Sequence, residues 1–141
     1  MRIYYVFDIR KEYVDLYRET PGGLYSVLYQ LYYMRKKDIE YGFNMFKQLT
    51  NKIDNYGIDK DIFLKMHNKM IYVKKGKNHI INNLYKDEIS VLKVKKSYIL
   101  INSNKNYTEF FNILAKENKD YFVCDFINND YFFLSNIKML V

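Results

Sequence analysis

One stretch of the chain, residues 24–37 (LYSVLYQLYYMRKK), restricts the fold more than any other. Leu24, Val27, Leu28, Leu31 and Met34 recur at steps of three and four, the spacing of a core-facing helical stripe. Tyr25, Tyr29, Tyr32 and Tyr33 form a second stripe rotated away from the first. One helix thus carries two non-polar faces. The chain holds 16 tyrosines and no tryptophan, and many of the tyrosines cluster in and just before this segment. Tyr13, Tyr17, Tyr25, Tyr29 and Tyr32 cannot all enter a core already filled by Leu24, Leu28 and Leu31, so some rings must remain outside.

The elements around this helix follow from pattern. Residues 2–8 alternate and are rich in β-branched and aromatic types, which predicts a first strand. Residues 10–18 read as a short helix on which Tyr13 and Tyr17, four apart, share a face. Thr20 and Pro21 suit the cap and first turn of the next helix, while Gly22 and Gly23 argue against so early a start. A third helix is expected over residues 38–53, with Ile39, Phe43, Phe46, Leu49 and Ile53 inward and Glu40, Lys47 and Lys52 outward. Residues 55–57 would end it.

Residues 59–86 fit two patterns. Ile62, Phe63, Leu64 and Met66 suit a helix, whereas Ile71, Tyr72 and Val73 before Lys75 and Gly76 suit a hairpin. Beyond them, strands at 89–94 and 98–101 flank a basic turn at 95–97. A helix over 106–116 turns Phe110, Phe111, Ile113 and Leu114 inward, and strands at 121–127 and 131–134 form a closing hairpin around Asn128, Asn129 and Asp130. The expected fold is α/β of the α+β type: a single layer of mostly antiparallel sheet, about five strands, with helices packed against it. No repeat or long linker divides the chain, so residues 1–141 are expected to form one domain.

With 141 residues and a hydrophobic fraction of 49%, such a domain needs neither disulfide nor metal to hold it. Cys124 is the only cysteine and lies in an apolar run, the setting of a small buried hydrophobe rather than of a nucleophile. The N-terminus lacks the pattern of a secretory signal, and no run approaches the roughly 20 apolar residues of a membrane span. A cytoplasmic protein with no membrane association is the expectation.

Constellations that carry catalysis are sparse. His67 and His79 have no carboxylate at a metal-ligand spacing and read as surface or packing histidines. Asp8 and Asp125 interrupt apolar strands and could act as an acid–base pair only if those strands were neighbours; strand-end capping is the simpler reading. Gly22 and Gly23 begin no phosphate-binding pattern. No enzyme, cofactor or metal site is expected. The net charge of +7 raises one alternative, a basic nucleic-acid-binding domain using Lys74, Lys75, Lys77, Lys93, Lys95 and Lys96 with stacking tyrosines. Lysine runs on turns are ordinarily just solvated, and the first strand lacks the aromatic signature of an RNA-binding sheet.

Tyrosine couples a large apolar ring to a hydroxyl that tolerates water, so rings left outside a core are natural anchors for another protein. Tyr4 and Tyr5 on the opening strand, Lys11 and Glu12 before Tyr13, and Tyr17 one turn on together resemble the beginning of the SirA family, the sporulation inhibitors of replication. Leu28, Tyr29 and Gln30, then Lys47, Gln48 and Leu49, are similar to later stretches of that family. Phe110 and Phe111, Asp125 and Phe126, Tyr131 through Leu134, and Lys138 resemble its ending. The chain departs from the family in carrying Phe133 and Asn136 where tryptophan and proline are usual, and in inserting residues 21–23. The resemblance implies a non-enzymatic inhibitor that binds the N-terminal domain of the replication initiator DnaA, with no small-molecule substrate. It implies Tyr13 and Tyr17 at the contact, with Gln48, or Lys47 one position earlier, as polar neighbour.

Overall fold

The computed structural model describes residues 1–136. Its frame is one antiparallel sheet of seven strands in the order β2-β3-β4-β5-β1-β6-β7. The strands are β1 (Arg2–Asp8), β2 (Tyr72–Lys75), β3 (Asn78–Asn83), β4 (Glu88–Val94), β5 (Ile99–Ser103), β6 (Tyr121–Asp125) and β7 (Asp130–Phe133). The helices are α1 (Lys11–Tyr17), α2 (Pro21–Tyr32), α3 (Ile39–Leu49), α4 (Asn55–Met66) and α5 (Glu109–Ala115), with a 3-10 turn at Lys36–Asp38 before α3. β2 to β5 form a meander and β6–β7 a hairpin. β1 joins the two, pairing Tyr4 with Ile101 on one side and Phe7 with Phe122 on the other.

The sheet has seven strands instead of the expected five because residues 59–86 obey both of their competing patterns in turn. Asp54 caps α4 by accepting from the Gly57 N–H at 3.1 Å, so residues 55–57 begin a helix rather than end one. β2 and β3 then follow, turning tightly at Gly76, whose φ of +59° is open to glycine at little cost.

Alternation along the strands sends side chains to two helical layers. On one face Tyr4, Val6, Ile81, Leu92, Ile101 and Val123 meet α4 and α5. On the other, Phe7, Phe122, Cys124 and Phe133 meet α1, α2 and α3 through Val14, Leu24, Leu28 and Leu49. The two-stripe helix behaves as its sequence requires along most of its length: Leu24 and Leu28 are buried, while Tyr29, Tyr32 and Tyr33 are exposed. Tyr25 departs from its stripe. It is buried, stacked on Tyr131 at 4.6 Å, with its hydroxyl donating to Asn129 Oδ1 at 2.9 Å.

α2 starts at Pro21, earlier than the glycines suggest, and Thr20 makes no side-chain cap bond. The glycines are explained by close neighbours. A Cβ at residue 23 would lie 2.9 Å from Tyr17 Cε1, and one at residue 22 would lie 3.0 Å from the Tyr131 hydroxyl. α3 is shorter than expected, and two of its supposed core residues, Ile39 and Phe43, are 65% and 54% exposed. Among the described residues no helix is long and apolar enough to cross a membrane. Lys138, part of the resemblance at the C-terminus, lies outside the described residues.

Candidate protein-binding site

Helix α1 is pinned by one residue, Val14, which is 2% exposed. Tyr13 and Tyr17 stand one turn apart on the face beside it, each partly buried against the aromatic core layer and partly open to solvent. Gly23 gives Tyr17 its resting place on α2. The rings are therefore held in position by the fold while part of each remains available, which lowers the ordering cost of using them at an interface. Beside them, Leu16 is 64% exposed.

Gln48 lies in the last turn of α3 and is exposed. Arg10, immediately before α1, secures that turn: its backbone N–H donates to the Leu49 carbonyl at 2.9 Å, and its Nε donates to the carbonyls of Lys47 and Thr50 at 3.1 Å each. The end of α3 and the start of α1 thus meet at one corner. Among the described residues no hydrogen bond joins Gln48 to Tyr13 or Tyr17.

A second aromatic area extends from α2. Tyr32 stacks on Phe126 at 4.5 Å and meets Tyr33 edge-on at 4.8 Å, and Tyr29 lies 4.7 Å from Tyr33. The Tyr5 hydroxyl donates to that of Tyr32 at 3.3 Å; burial and this bond push the Tyr5 pKa above the ordinary phenol value, so it stays neutral. Next to this cluster, α2, α3 and the β4–β5 turn enclose a groove of about 400 Å³. Ile39, Phe43, Phe46 and Tyr98 form its walls, and Met34 lies where a Cβ at Gly42 would otherwise be. Reading α3 as inward-facing conceals this groove, because an apolar helical stripe looks the same whether it meets the core or a cleft. The adjoining basic run Arg35, Lys36 and Lys37 is the sequence signal that this end of α3 faces water.

The groups considered for catalysis are used in packing. Asp8 and Asp125 do lie on neighbouring strands, but the antiparallel register sets them at opposite ends. Asp8 accepts from Asn51 at 3.2 Å, and burial raises its pKa. Asp125 accepts from Arg2 Nε and Asn128 Nδ2 at 2.8 Å each; burial opposes its charge, yet these two partners hold its pKa below the usual value. Burial pushes the Cys124 thiol well up, away from thiolate chemistry. His67 is exposed, with Nδ1 beside the carbonyls of its own helix. His79 is buried and has a carboxylate partner that its sequence neighbours do not reveal, Asp59, at 2.6 Å. Among the described residues no group of three or more His, Cys, Asp or Glu side chains could hold a metal ion.

The lysines of the nucleic-acid reading divide between faces. Lys75 and Lys93 both align with Asn78 across β2–β4, whereas Lys74 aligns with His79 on the opposite face. These three strand lysines do not form one groove-lining stripe.

The site is thus a set of tyrosines that the helices of an α+β fold hold partly inside and partly outside the core. Residues 2–138 match the family model described as "Sporulation inhibitor of replication protein SirA", and the chain belongs to the SirA family. The family is one of non-enzymatic regulators of replication. No curated protein matches the chain.

Proposed function

We propose that this protein acts in the cytoplasm as one SirA-like domain that binds the N-terminal domain of the initiator DnaA and blocks its assembly at the origin. The contact is made by Tyr13 and Tyr17 on α1, with Gln48 at the end of α3. The observation that carries this reading is the half-burial of Tyr13 and Tyr17 on a helix that Val14 anchors, in a chain of this family. Each ring has one side committed to the fold and one side free, which suits an interface anchor. With Leu16 and the corner that Arg10 ties together, the surface extends toward the roughly 800 Å² per partner of a standard interface. Inhibition is then competitive: the rings occupy an apolar patch that the initiator otherwise uses for a helper protein or for itself.

The test is a binding titration against the N-terminal domain of DnaA from the same organism. Tyr17→Ala should weaken the complex by on the order of 2 kcal/mol, about thirtyfold, with the thermal melt nearly unchanged. Failure of the unaltered protein to bind would leave the family assignment standing and remove the proposed partner. If Tyr13→Ala unfolds the domain, that ring belongs to the core and the contact lies elsewhere.

A further inference from the structure

The groove between α2 and α3 is lined by neither Tyr13 nor Tyr17, and its chemistry is different, although its basic end shares Arg10 and Lys47 with the corner next to the proposed DnaA contact. Its volume of about 400 Å³ falls in the range of ligand-binding clefts and gives room for two or three large side chains. Ile39 and Phe43 stay more than half exposed at its mouth, Tyr32 is 46% exposed beside them, and Phe126 and Tyr98 form the floor and far wall.

The groove continues into a smaller recess of about 150 Å³, with Phe43, Phe46 and Ser97 as shared walls, and there the lining turns basic through Arg10, Lys47 and Lys52. Lys47 Nζ sits 4.2 Å from the centroid of the Phe43 ring, so charge and apolar surface are adjacent. At the other end, Arg35, Lys36 and Lys37 lie between the lining residues Met34 and Ile39 in the chain, and Lys95 and Lys96 precede Ser97. Asp38 and Glu40, which flank Ile39, oppose this charge but are outnumbered.

We propose that this groove is a second docking site, which takes an amphipathic helical segment of a partner protein with large apolar side chains on one face and carboxylates along its flanks. Two helices form its walls and offer ridges against which a third helix packs. The basic ends supply the complementary charge that selects acidic flanks and speeds encounter. A second copy of this chain is a poor occupant, because a two-fold contact would set one basic rim against another.

The probe is a synthetic amphipathic helical peptide with Leu and Phe on one face and Glu on its flanks, compared with a peptide of the same apolar face flanked by Lys. The acidic peptide should bind roughly tenfold more tightly, less so as salt rises. Phe43→Ser should abolish binding of both peptides, and Lys47→Glu should reverse the preference between them. Both side chains are exposed, so the thermal melts of these variants should match that of the unaltered protein. Tyr17→Ala should leave peptide affinity unchanged, which separates this site from the one proposed for DnaA. Equal affinity for the two peptides, or binding that survives Phe43→Ser, overturns the proposal. So does displacement of the acidic peptide by a short single-stranded oligonucleotide, or by self-association of the protein in sedimentation.

Discussion

The two faces of the sheet are built from different residues and are finished differently. The face under α4 and α5 is packed mostly with aliphatic side chains and closed: Ile62, Ile81, Leu92, Ile99, Ile101 and Leu114 are fully buried, as are the rings of Tyr4, Phe110 and Phe111 among them. The face under α1 to α3 is mainly aromatic, and its outer members, Tyr13, Tyr17, Tyr98 and Tyr131, stay partly exposed. Aliphatic side chains gain only by leaving water, so a layer made of them closes. Tyrosine carries a hydroxyl that needs a partner: Tyr4 and Tyr121 find one within the closed layer, in the Lys105 carbonyl and the Glu117 carboxylate, whereas Tyr13, Tyr17, Tyr98 and Tyr131 stay at a partly exposed edge. One sheet thus supports a closed side and a side left partly open.

The sharpest way to break this comparison is to truncate one ring on each side. Phe111 is fully buried, in edge contact with Tyr4 at 5.1 Å and Phe132 at 5.4 Å. Phe111→Ala should cost about 3–5 kcal/mol in denaturant unfolding, since it removes the ring and leaves a cavity. Phe43→Ala, on the open side, should cost about 0.5 kcal/mol or less. Similar losses at the two positions would mean that the groove around Phe43 is closed in solution and that the division of labour is wrong.

A smaller effect is expected where the closed side buries polar groups. Glu88 is 4% exposed, and its carboxylate accepts from the hydroxyls of Ser90 and Thr108 at 2.6 Å each and from the Glu109 backbone N–H at 3.2 Å. Thr108 also caps α5 by accepting from the Phe110 N–H at 3.3 Å. Thr108→Ala removes the cap and one donor to a buried carboxylate together and should destabilise by about 1–2 kcal/mol. Thr108→Ser, which keeps the hydroxyl, should recover most of that loss. A serine variant no better than alanine would show that the methyl group, not the network, holds this end of the helix.

Much of this division was legible from residue types, and the exceptions have physical causes. The two stripes of α2 predicted both its buried leucines and its exposed tyrosines, and the four-residue spacing of Tyr13 and Tyr17 set both rings on one face of α1, where both are partly buried. Tyr25 was misplaced because its partners, Tyr131 and Asn129, come from a hairpin more than a hundred residues away. Ile39 and Phe43 were misplaced because periodicity identifies an apolar face but not what covers it. Residues 59–86 resisted a single pattern because they contain a helix and a hairpin back to back. The pairing of His79 with Asp59 was invisible because it joins α4 to β3 across 20 positions.

That pairing gives the smallest predicted effect and the most specific one. The His79 ring is fully buried, with Nε2 2.6 Å from Asp59 Oδ1 and Nδ1 2.7 Å from the Tyr72 hydroxyl. Burial lowers its pKa below 6.5; the hydrogen bond and charge of Asp59 pull the other way without prevailing, and Lys74 adds to the lowering. The neutral ring therefore donates from Nε2 to Asp59 and accepts at Nδ1 from Tyr72. Since the folded ring holds a proton less tightly than the unfolded one, the unfolded chain takes up the proton first as pH falls. The contribution of His79 to stability is thus complete above the unfolded value of about 6.5 and is lost as pH drops from there toward the lower folded value. Asp8 and Glu117, whose pKa values burial raises, act in the opposite sense, so the readout must be a difference between proteins. The melting temperature of the unaltered protein minus that of His79→Gln should be positive at pH 7.5 and should shrink by pH 5.5. A gap that stays constant or widens would mean that the folded ring is already protonated as an ion pair with Asp59, and the closed face would then hold a buried charge rather than a neutral hydrogen-bonded chain.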